Sequence, residues 1–276
     1  MEKKLLNRIV CGDAAEKMQE LPAGSVHLTV TSPPYDDLRS YQDLVSGMKE
    51  EYNGYSFPFE SIARELYRVT CDGGVVVWVV GDAVIKGAET GSSFKQALYF
   101  MEQGFKLHDT MIYEKNGCAF PARRDGNRYS QIFEYMFVLS KNKKPRVANL
   151  IADKPNKWVG YTHFGKGTIR NKDGKLVERN IKPIPEYSPR NNIWKYITGK
   201  NYSTKDKIAH EHPAIFPEKL AEDHILSWSD ERDIVLDPFC GSGTTCKMAK
   251  VHGRQYLGID ISADYCEISA ERLKGV

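Results

Sequence analysis

Four consecutive residues, Ser32, Pro33, Pro34 and Tyr35, offer the clearest chemistry in this chain of 276 residues. They follow the apolar run 26–30, whose composition is typical of a strand. The serine hydroxyl and the Pro33 carbonyl can accept two hydrogens, and the rigid prolines hold both acceptors in place. The tyrosine ring can stack on a flat partner. The segment therefore suits a planar base that carries an exocyclic amine.

A second motif, DPFCGSGTT at 237–245, follows the apolar residues 234–236. Its glycines allow the backbone to turn sharply and to approach a ligand closely. The helix that we expect to begin near Gly243 directs free N–H groups toward an anion. The motif lacks the third glycine of the dinucleotide fingerprint, which makes NAD a poor candidate. We therefore expect a different nucleoside-bearing cofactor here.

Two aspartates follow other predicted strands. Asp260 lies at the end of the next strand after the glycine turn, where a carboxylate can accept both hydroxyls of a ribose. The structural alternative is a charge that precedes a helix cap. Asp13 follows the first strand, and a helix N-cap explains its position equally well.

The elements that must position these residues alternate between strands and helices, which predicts an α/β fold with a doubly wound, mainly parallel sheet. The predicted strands are 8–11, 26–31, 74–80, 109–114, 135–139, 233–237 and 256–260. The predicted helices are 14–20, 57–70, 92–103, 217–229, 243–252 and 262–273. The stretch 141–207 breaks this rhythm with prolines and glycines, and we expect short strands and loops there.

The charge is distributed unevenly along the chain. Residues 141–207 carry 17 Lys and Arg against 5 Asp and Glu, a net charge of +12, whereas the remainder carries 22 against 31, a net charge of −9. Such a basic block predicts a surface that binds a polyanion, and a solvated insertion is the alternative. The candidate contacts are Lys154, Lys157, Lys166, Arg170, Arg179, Lys182 and Arg190.

The six cysteines are scattered, and none forms a C-x-x-C pair, so we expect no metal site. No apolar run approaches the roughly 20 residues that span a bilayer. The first residues lack the features of a signal peptide, which makes the cytoplasm the expected compartment.

A third segment, HPAIFP at 212–217, completes a set of motifs with a family likeness. With the SPPY and DPFCGSGTT motifs, it resembles the S-adenosylmethionine-dependent DNA amino-methyltransferases, in the beta arrangement where the catalytic motif precedes the cofactor motif. Serine in the first catalytic position is similar to the cytosine-N4 branch. The likeness covers roughly residues 7–35, 57–140 and 210–273.

The resemblance implies a Rossmann-like methyltransferase sheet with an inserted target-recognition region. It divides the chain into a catalytic half at 1–140, a recognition region at 141–207 and a cofactor half at 208–276. The expected catalytic residues are those of the SPPY motif. The expected cofactor contacts are Asp13, Thr31, Phe216, Pro217, Asp237, Pro238, Phe239, Gly241, Gly243, Thr244 and Asp260, with Asp13 facing the adenine amine.

The activity implied is transfer of a methyl group from S-adenosyl-L-methionine to cytosine N4 in double-stranded DNA, after the base is rotated out of the duplex. Adenine-N6 methylation, methylation of RNA or of a free nucleotide, and a catalytically silent DNA-binding protein are the alternatives, and the large basic block favours a duplex polymer. The chain has no Pro-Cys pair, which argues against cytosine-C5 chemistry. A second basic cluster, Arg123, Arg124 and Arg128, can line the entrance for the extruded base. A cognate restriction endonuclease is a candidate partner.

Overall fold

The computed structural model describes residues 6–34, 58–117, 128–162, 168–178 and 182–276. Tyr35, Arg123, Arg124, Lys166 and Arg179 of the predicted site lie outside the described residues. Contacts divide the chain into two compact units, Met1–Asn149 with Asn192–Val276, and Leu150–Asn191.

The strands of the larger unit are β1 (Arg8–Cys11), β2 (Val26–Thr31), β3 (Thr70–Val80), β4 (Val84–Ile85), β5 (Ala88–Glu89), β6 (Phe105–Lys115), β7 (Phe133–Lys141), β12 (Ile193–Tyr196), β13 (Ile234–Asp237) and β14 (Gln255–Asp260). Its helices are α1 (Ala14–Gln19), α2 (Phe59–Val69), α3 (Ser92–Glu102), a 3₁₀ helix (Lys207–Glu211), α4 (Glu218–Trp228), α5 (Thr244–Val251) and α6 (Ala263–Lys274). The strands of the smaller unit are β8 (Lys154–Pro155), β9 (Thr168–Arg170), β10 (Leu176–Glu178) and β11 (Tyr187–Ser188).

Within the described ranges, eight strands form one mixed sheet in the order β1-β14-β13-β2-β3-β7-β6-β12. Among these eight strands, only β7 runs against its two neighbours, and the remaining pairs are parallel. The predicted fold class is therefore confirmed. Each predicted strand and helix with described residues is also present, with ends that shift by a few residues. The sequence pattern does not predict β12 as a strand of the main sheet, because β12 lies inside the proline-rich stretch.

Burial is continuous along most of the central strands because both faces of the sheet are covered. Val76, Trp78 and Val80 on one face of β3 belong to a core shared with α1, α2 and α3. Val75, Val77 and Val79 on the opposite face are also buried. Helix α5 packs against both α4 and α6, and α4 contacts β2 and β3. This two-sided burial explains why the strands are continuous apolar runs in the sequence.

Helix α2 shows how the pattern becomes packing. Ile62, Leu66 and Val69 recur at helical spacing, and all three are fully buried. The helix ends where Thr70 adopts an extended backbone and its hydroxyl donates to the Leu66 carbonyl, at 2.6 Å. Strand β3 begins at the same residue and lies in the middle of the eight-stranded sheet.

Leu150–Asn191 forms the smaller unit, which lies within the predicted recognition region. Two antiparallel pairs, β9 with β10 and β8 with β11, build it. Asn171 stabilises the turn of the β9–β10 hairpin, because its Oδ1 accepts the N–H groups of Asp173 and Lys175. The sequence pattern predicts such short strands and loops for this stretch. The boundaries 141–207 themselves stay a prediction.

Candidate active site

The predicted catalytic and cofactor motifs follow neighbouring strands, because β2 pairs with β13 in the sheet. Thr31 ends β2, and its hydroxyl donates a hydrogen bond to Asp237 Oδ1, with an oxygen–oxygen distance of 2.7 Å. Thr245 lies in the helix after the glycine turn, and its hydroxyl donates to the Val30 carbonyl, with an oxygen–oxygen distance of 3.0 Å. All of these groups are buried or lie within β2. Two hydrogen bonds, between residues more than 200 positions apart, thus tie the strand before the SPPY slot to the glycine turn.

Asp237 is almost completely buried at this junction. Burial raises the pKa of its carboxyl to about 6, although hydrogen bonds from Thr31 and the Phe239 N–H act in the opposite direction. The carboxyl group accepts both of these hydrogen bonds on Oδ1. Asp237 therefore joins the end of β2 to the start of the glycine turn.

The described part of the slot continues directly from the Thr31 anchor. Pro33 is buried, and Ser32 and Pro34 are half-buried. Because Thr31 is fixed to Asp237, the next residues leave the sheet at its carboxyl edge, beside the cofactor turn. The slot thus stands where ligands bind in sheets of this type.

The glycine turn has the backbone that its sequence requires. Gly241 and Gly243 adopt φ values of 49° and 78°, in the left-handed region that favours glycine. A β-carbon on Gly241 would lie 2.7 Å from the His212 ring, and one on Gly243 would lie 2.9 Å from Ser269 Oγ. Gly243 is the N-cap of α5, and among the described residues no side chain caps that helix. The first N–H groups of α5 therefore remain without a capping side chain, as an anionic ligand requires.

Asp260 stands at the end of β14, the strand beside β13. Its Oδ2 accepts the Gly241 N–H at 2.8 Å, and its Oδ1 accepts the Ser262 N–H at 3.0 Å. Burial raises the pKa of the carboxyl, and these N–H groups oppose the increase. Ser262, not Asp260, caps α6 through its hydroxyl and the Tyr265 N–H. Asp260 thus fastens the glycine turn, and each oxygen retains a further lone pair for a ligand hydroxyl.

Asp13 follows β1 and is the N-cap of α1, where its Oδ1 accepts the Glu16 N–H at 3.0 Å. The structural alternative considered for this residue is therefore present. The second oxygen of the carboxylate makes the adenine contact compatible with capping, so that contact stays a prediction.

The remaining candidates for the cofactor surround the same turn. His212 at the start of the HPAIFP segment packs on Gly241, and its ring lies 4.3 Å from that of Tyr265. Pro217 is buried at the N-cap of α4, and Phe216 is half-buried. The Phe239 ring packs edge-on against the buried Trp78, with 6.2 Å between the ring centroids. Phe239 itself is only partly buried.

The sequence pattern gives no sign of a group of buried charges beneath the turn. Arg272 and Lys247 form ion pairs with Asp206 and Glu218. The Arg272 guanidinium also donates to the Ser242 carbonyl within the glycine turn. An arginine in the last turn of a helix is ordinarily a solvent-facing partner of the helix dipole, so nothing in the local sequence marks it.

The described cations of the smaller unit differ in their pairing. Lys157 and Lys182 are exposed. Arg170 donates to the Gly174 carbonyl within its own hairpin, and Lys154 donates to Asn191. Arg190 forms a two-pronged ion pair with Asp153.

Arg128, the described member of the second basic cluster, belongs to the larger unit. Its guanidinium lies 3.5 Å from a Glu89 carboxylate oxygen and donates to the Gly87 carbonyl of the β4–β5 turn.

Within the described residues, no three His, Cys, Asp or Glu side chains converge as a metal site. Cys240 and Cys246 are buried, and burial raises the pKa of both thiols well above the usual value, which leaves them protonated. None of the helices in the described ranges has the length and apolar character of a membrane span.

Comparison with known proteins adds to this geometry. Residues 26–271 match the N6/N4 family model, described as DNA methylase. The chain is 59% identical over 251 residues to the orphan methyltransferase M.BamHII of Bacillus amyloliquefaciens, and the match covers 91% of this chain and 89% of that protein.

Two solved structures share the fold. TTHA0409, a DNA modification methylase of Thermus thermophilus complexed with S-adenosyl-L-methionine, has a TM-score of 0.63 and 25% identity, covering 97% of this chain and 93% of its own. The PvuII DNA methyltransferase, described as cytosine-N4-specific, has a TM-score of 0.66 and 21% identity, covering 96% of this chain and 85% of its own. The latter likeness concerns the fold alone.

Proposed function

The chain belongs to the N6/N4 DNA methylase family, and from this premise we propose that it methylates cytosine N4 in duplex DNA with S-adenosyl-L-methionine as the methyl donor. The observation that carries the proposal is the hydrogen bond from Thr31 to Asp237. It supports the proposal because it holds an amine-binding slot directly beside a turn suited to a zwitterionic cofactor.

The residues present fit this cofactor. The uncapped start of α5 offers N–H groups to a carboxylate, and Asp260 offers carboxylate oxygens to ribose hydroxyls. We assign the adenine contact to Asp13, which follows β1, and to Phe239, which is partly buried. S-adenosyl-L-methionine supplies an activated methyl group when it is bound.

In the proposed reaction the slot orients the target amine. Ser32 Oγ and the Pro33 carbonyl accept the two amine hydrogens, which favours a pyramidal nitrogen with its lone pair directed toward the cofactor side. Tyr35 stacks on the extruded base, whose rotation out of the duplex costs a few kcal/mol. The proton leaves the nitrogen after transfer, when the nitrogen is cationic and acidic, so no strong base is required.

DNA contact is assigned to the basic candidates. Lys157 and Lys182 are exposed, and we assign them to phosphates, together with Lys154, Lys166, Arg170 and Arg179. We leave the candidate Arg190 out of this set because Asp153 engages its guanidinium. Arg123, Arg124 and Arg128 are assigned to the entrance for the target base. The relative M.BamHII is named an orphan methyltransferase, so the proposal does not require a cognate endonuclease.

Analysis of the product separates the candidate reactions. DNA methylated by the purified protein is digested to nucleosides and measured by mass spectrometry, and sequencing that detects modified bases locates the target. We expect N4-methylcytosine. N6-methyladenine would support the alternative target, which the same slot can accept because both bases present an exocyclic amine. Cofactor binding without any modified base would indicate the silent DNA-binding protein.

A further inference from the structure

The guanidinium of Arg272 is fully buried although the residue lies in the last turn of α6. Burial of a cation is unfavourable unless the protein supplies partners for its charge and its donors. Arg272 has such partners on two sides, and the two sides belong to different parts of the cofactor site.

One side of the guanidinium faces the glycine turn. Nη1 donates to the Ser242 carbonyl and lies 3.2 Å from the Ser242 hydroxyl. The same nitrogen lies 3.3 Å from the hydroxyl of Thr244, the first residue of α5. These contacts act on the backbone just before the N–H groups that start the helix.

The other side of the guanidinium faces residues that flank the HPAIFP segment at 212–217. Nη2 donates to Glu218 Oε1 at 2.7 Å, and Nε donates to Asp206 Oδ2 at 3.0 Å. Glu218 directly follows the segment 212–217, and Asp206 lies six residues before it. Arg272 thus donates hydrogen bonds from one planar group to residues on both sides of the 212–217 segment and to the glycine turn.

We infer that Arg272 is a positioning residue for the cofactor site, an inference that rests on the proposed use of S-adenosyl-L-methionine. Its rigid fork sets the distance between the 241–244 turn and the 212–217 segment. A shorter or non-planar group can satisfy one side only, because a lysine ammonium is a single point charge. Loss of the clamp lets the two cofactor-binding loops separate.

Lys247 provides a matched control. Its ammonium donates to the same carboxylates, Asp206 Oδ2 at 2.7 Å and Glu218 Oε1 at 2.8 Å. Within the described ranges, the Lys247 side chain donates hydrogen bonds to these two carboxylates alone. Arg272 also donates to the glycine turn. Arg272 and Lys247 balance the charges of Asp206 and Glu218. Removal of either cation together with the Asp206 charge therefore leaves the net charge of this cluster at zero.

The test compares two double variants, Arg272→Gln with Asp206→Asn and Lys247→Gln with Asp206→Asn. Cofactor affinity is measured by calorimetry, stability by urea unfolding, and KM and kcat by methyl transfer. We expect both variants to lose stability. Only the Arg272 variant should bind S-adenosyl-L-methionine at least about tenfold more weakly, with KM for the cofactor raised in parallel and with kcat at saturation and KM for DNA changed less than about threefold.

Equal cofactor affinity in the two double variants would overturn the inference. If the Arg272 double variant does not fold, Arg272→Lys takes its place, and an unchanged cofactor affinity in that variant is equally contradictory. Wild-type protein that fails to bind S-adenosyl-L-methionine would instead contradict the proposed function. The two failures are therefore distinguishable.

Discussion

Cations occupy opposite environments in two regions of this molecule. Beneath the glycine turn, Arg272 is fully buried and Lys247 nearly so, and both contact carboxylates. In the unit Leu150–Asn191, Lys157 and Lys182 are exposed to solvent. The same residue types therefore stabilise a scaffold in one region and remain accessible to a polyanion in the other.

The density of charge in the sequence therefore does not reveal the role of an individual cation. Buried charges depend on their partners, so removal of one group leaves the others unpaired. Exposed charges are screened by salt and contribute little to stability. Arg190 is an exception within the basic unit, because its guanidinium is engaged by Asp153. We expect substitutions to have large effects in the buried region and small, additive effects in the exposed one.

The largest effect expected in the buried region concerns Asp237, whose pKa is raised from 3.8 to about 6. The native state holds this proton more tightly than the unfolded state does, so its contribution to stability falls as the pH rises through the window from about 4 to 6. Relative to Asp237→Asn, which does not titrate, the wild type should lose up to about 3 kcal/mol of unfolding free energy across that window. Urea unfolding of both proteins at several pH values measures the difference. A constant difference would contradict the assignment of a buried carboxyl with a raised pKa.

Ser32→Ala should lower the single-turnover rate on the order of 100-fold, equivalent to about 2.7 kcal/mol, with little change in cofactor affinity. The hydroxyl is proposed to act on the target amine. Ser25→Ala is the matched control, because this serine precedes the opposite end of β2 and its hydroxyl has no hydrogen-bond partner among the described residues. Equal rates for both variants would remove Ser32 from the mechanism.

Asp260→Ala should weaken cofactor binding roughly 10- to 100-fold while DNA affinity is retained, since hydrogen bonds to a charged group contribute about 1.5–3 kcal/mol. The loss would combine the ribose contact with the release of the Gly241 N–H. Titration calorimetry measures both ligands. Asp264→Ala, an exposed aspartate in the first turn of α6, should behave as the wild type. Unchanged cofactor affinity in Asp260→Ala would leave this residue with a structural role alone.

The smallest effects are expected in the exposed region. Lys157→Gln and Lys182→Gln should each weaken DNA binding only several-fold and flatten the dependence of log affinity on log salt by about 0.9 unit. The target sequence should not change. Arg190→Gln should leave the slope as it is, because Asp153 already engages this guanidinium. If the lysine variants kept the wild-type slope, Lys157 and Lys182 would not be phosphate contacts.

Much of the fold and part of the site could be predicted from local patterns. Apolar runs placed β2 and β13, and the spacing of Ile62, Leu66 and Val69 identified the buried face of α2. The glycines of the cofactor turn have the left-handed backbone that only glycine adopts without strain. These features depend on residues that are close together in the chain, which is the range over which a sequence pattern acts.

Long-range contacts could not be predicted in the same way. The sequence does not reveal that Arg272 is buried, because its partners Asp206 and Glu218 lie more than 50 positions away. The strand at Ile193–Tyr196 is hidden in a stretch whose composition predicts loops, since its pairing partner β6 ends almost 80 residues earlier.

Local sequence patterns located the strands, the helices and the three motifs, because steric limits on glycine and proline and the periodicity of apolar residues are local properties. Tertiary structure decided that β2 and β13 are neighbours, that β7 runs against the sheet, and which cations lose contact with water. It also decided the raised pKa of Asp237. Strand order, desolvation and charge pairing arise only when distant segments pack together.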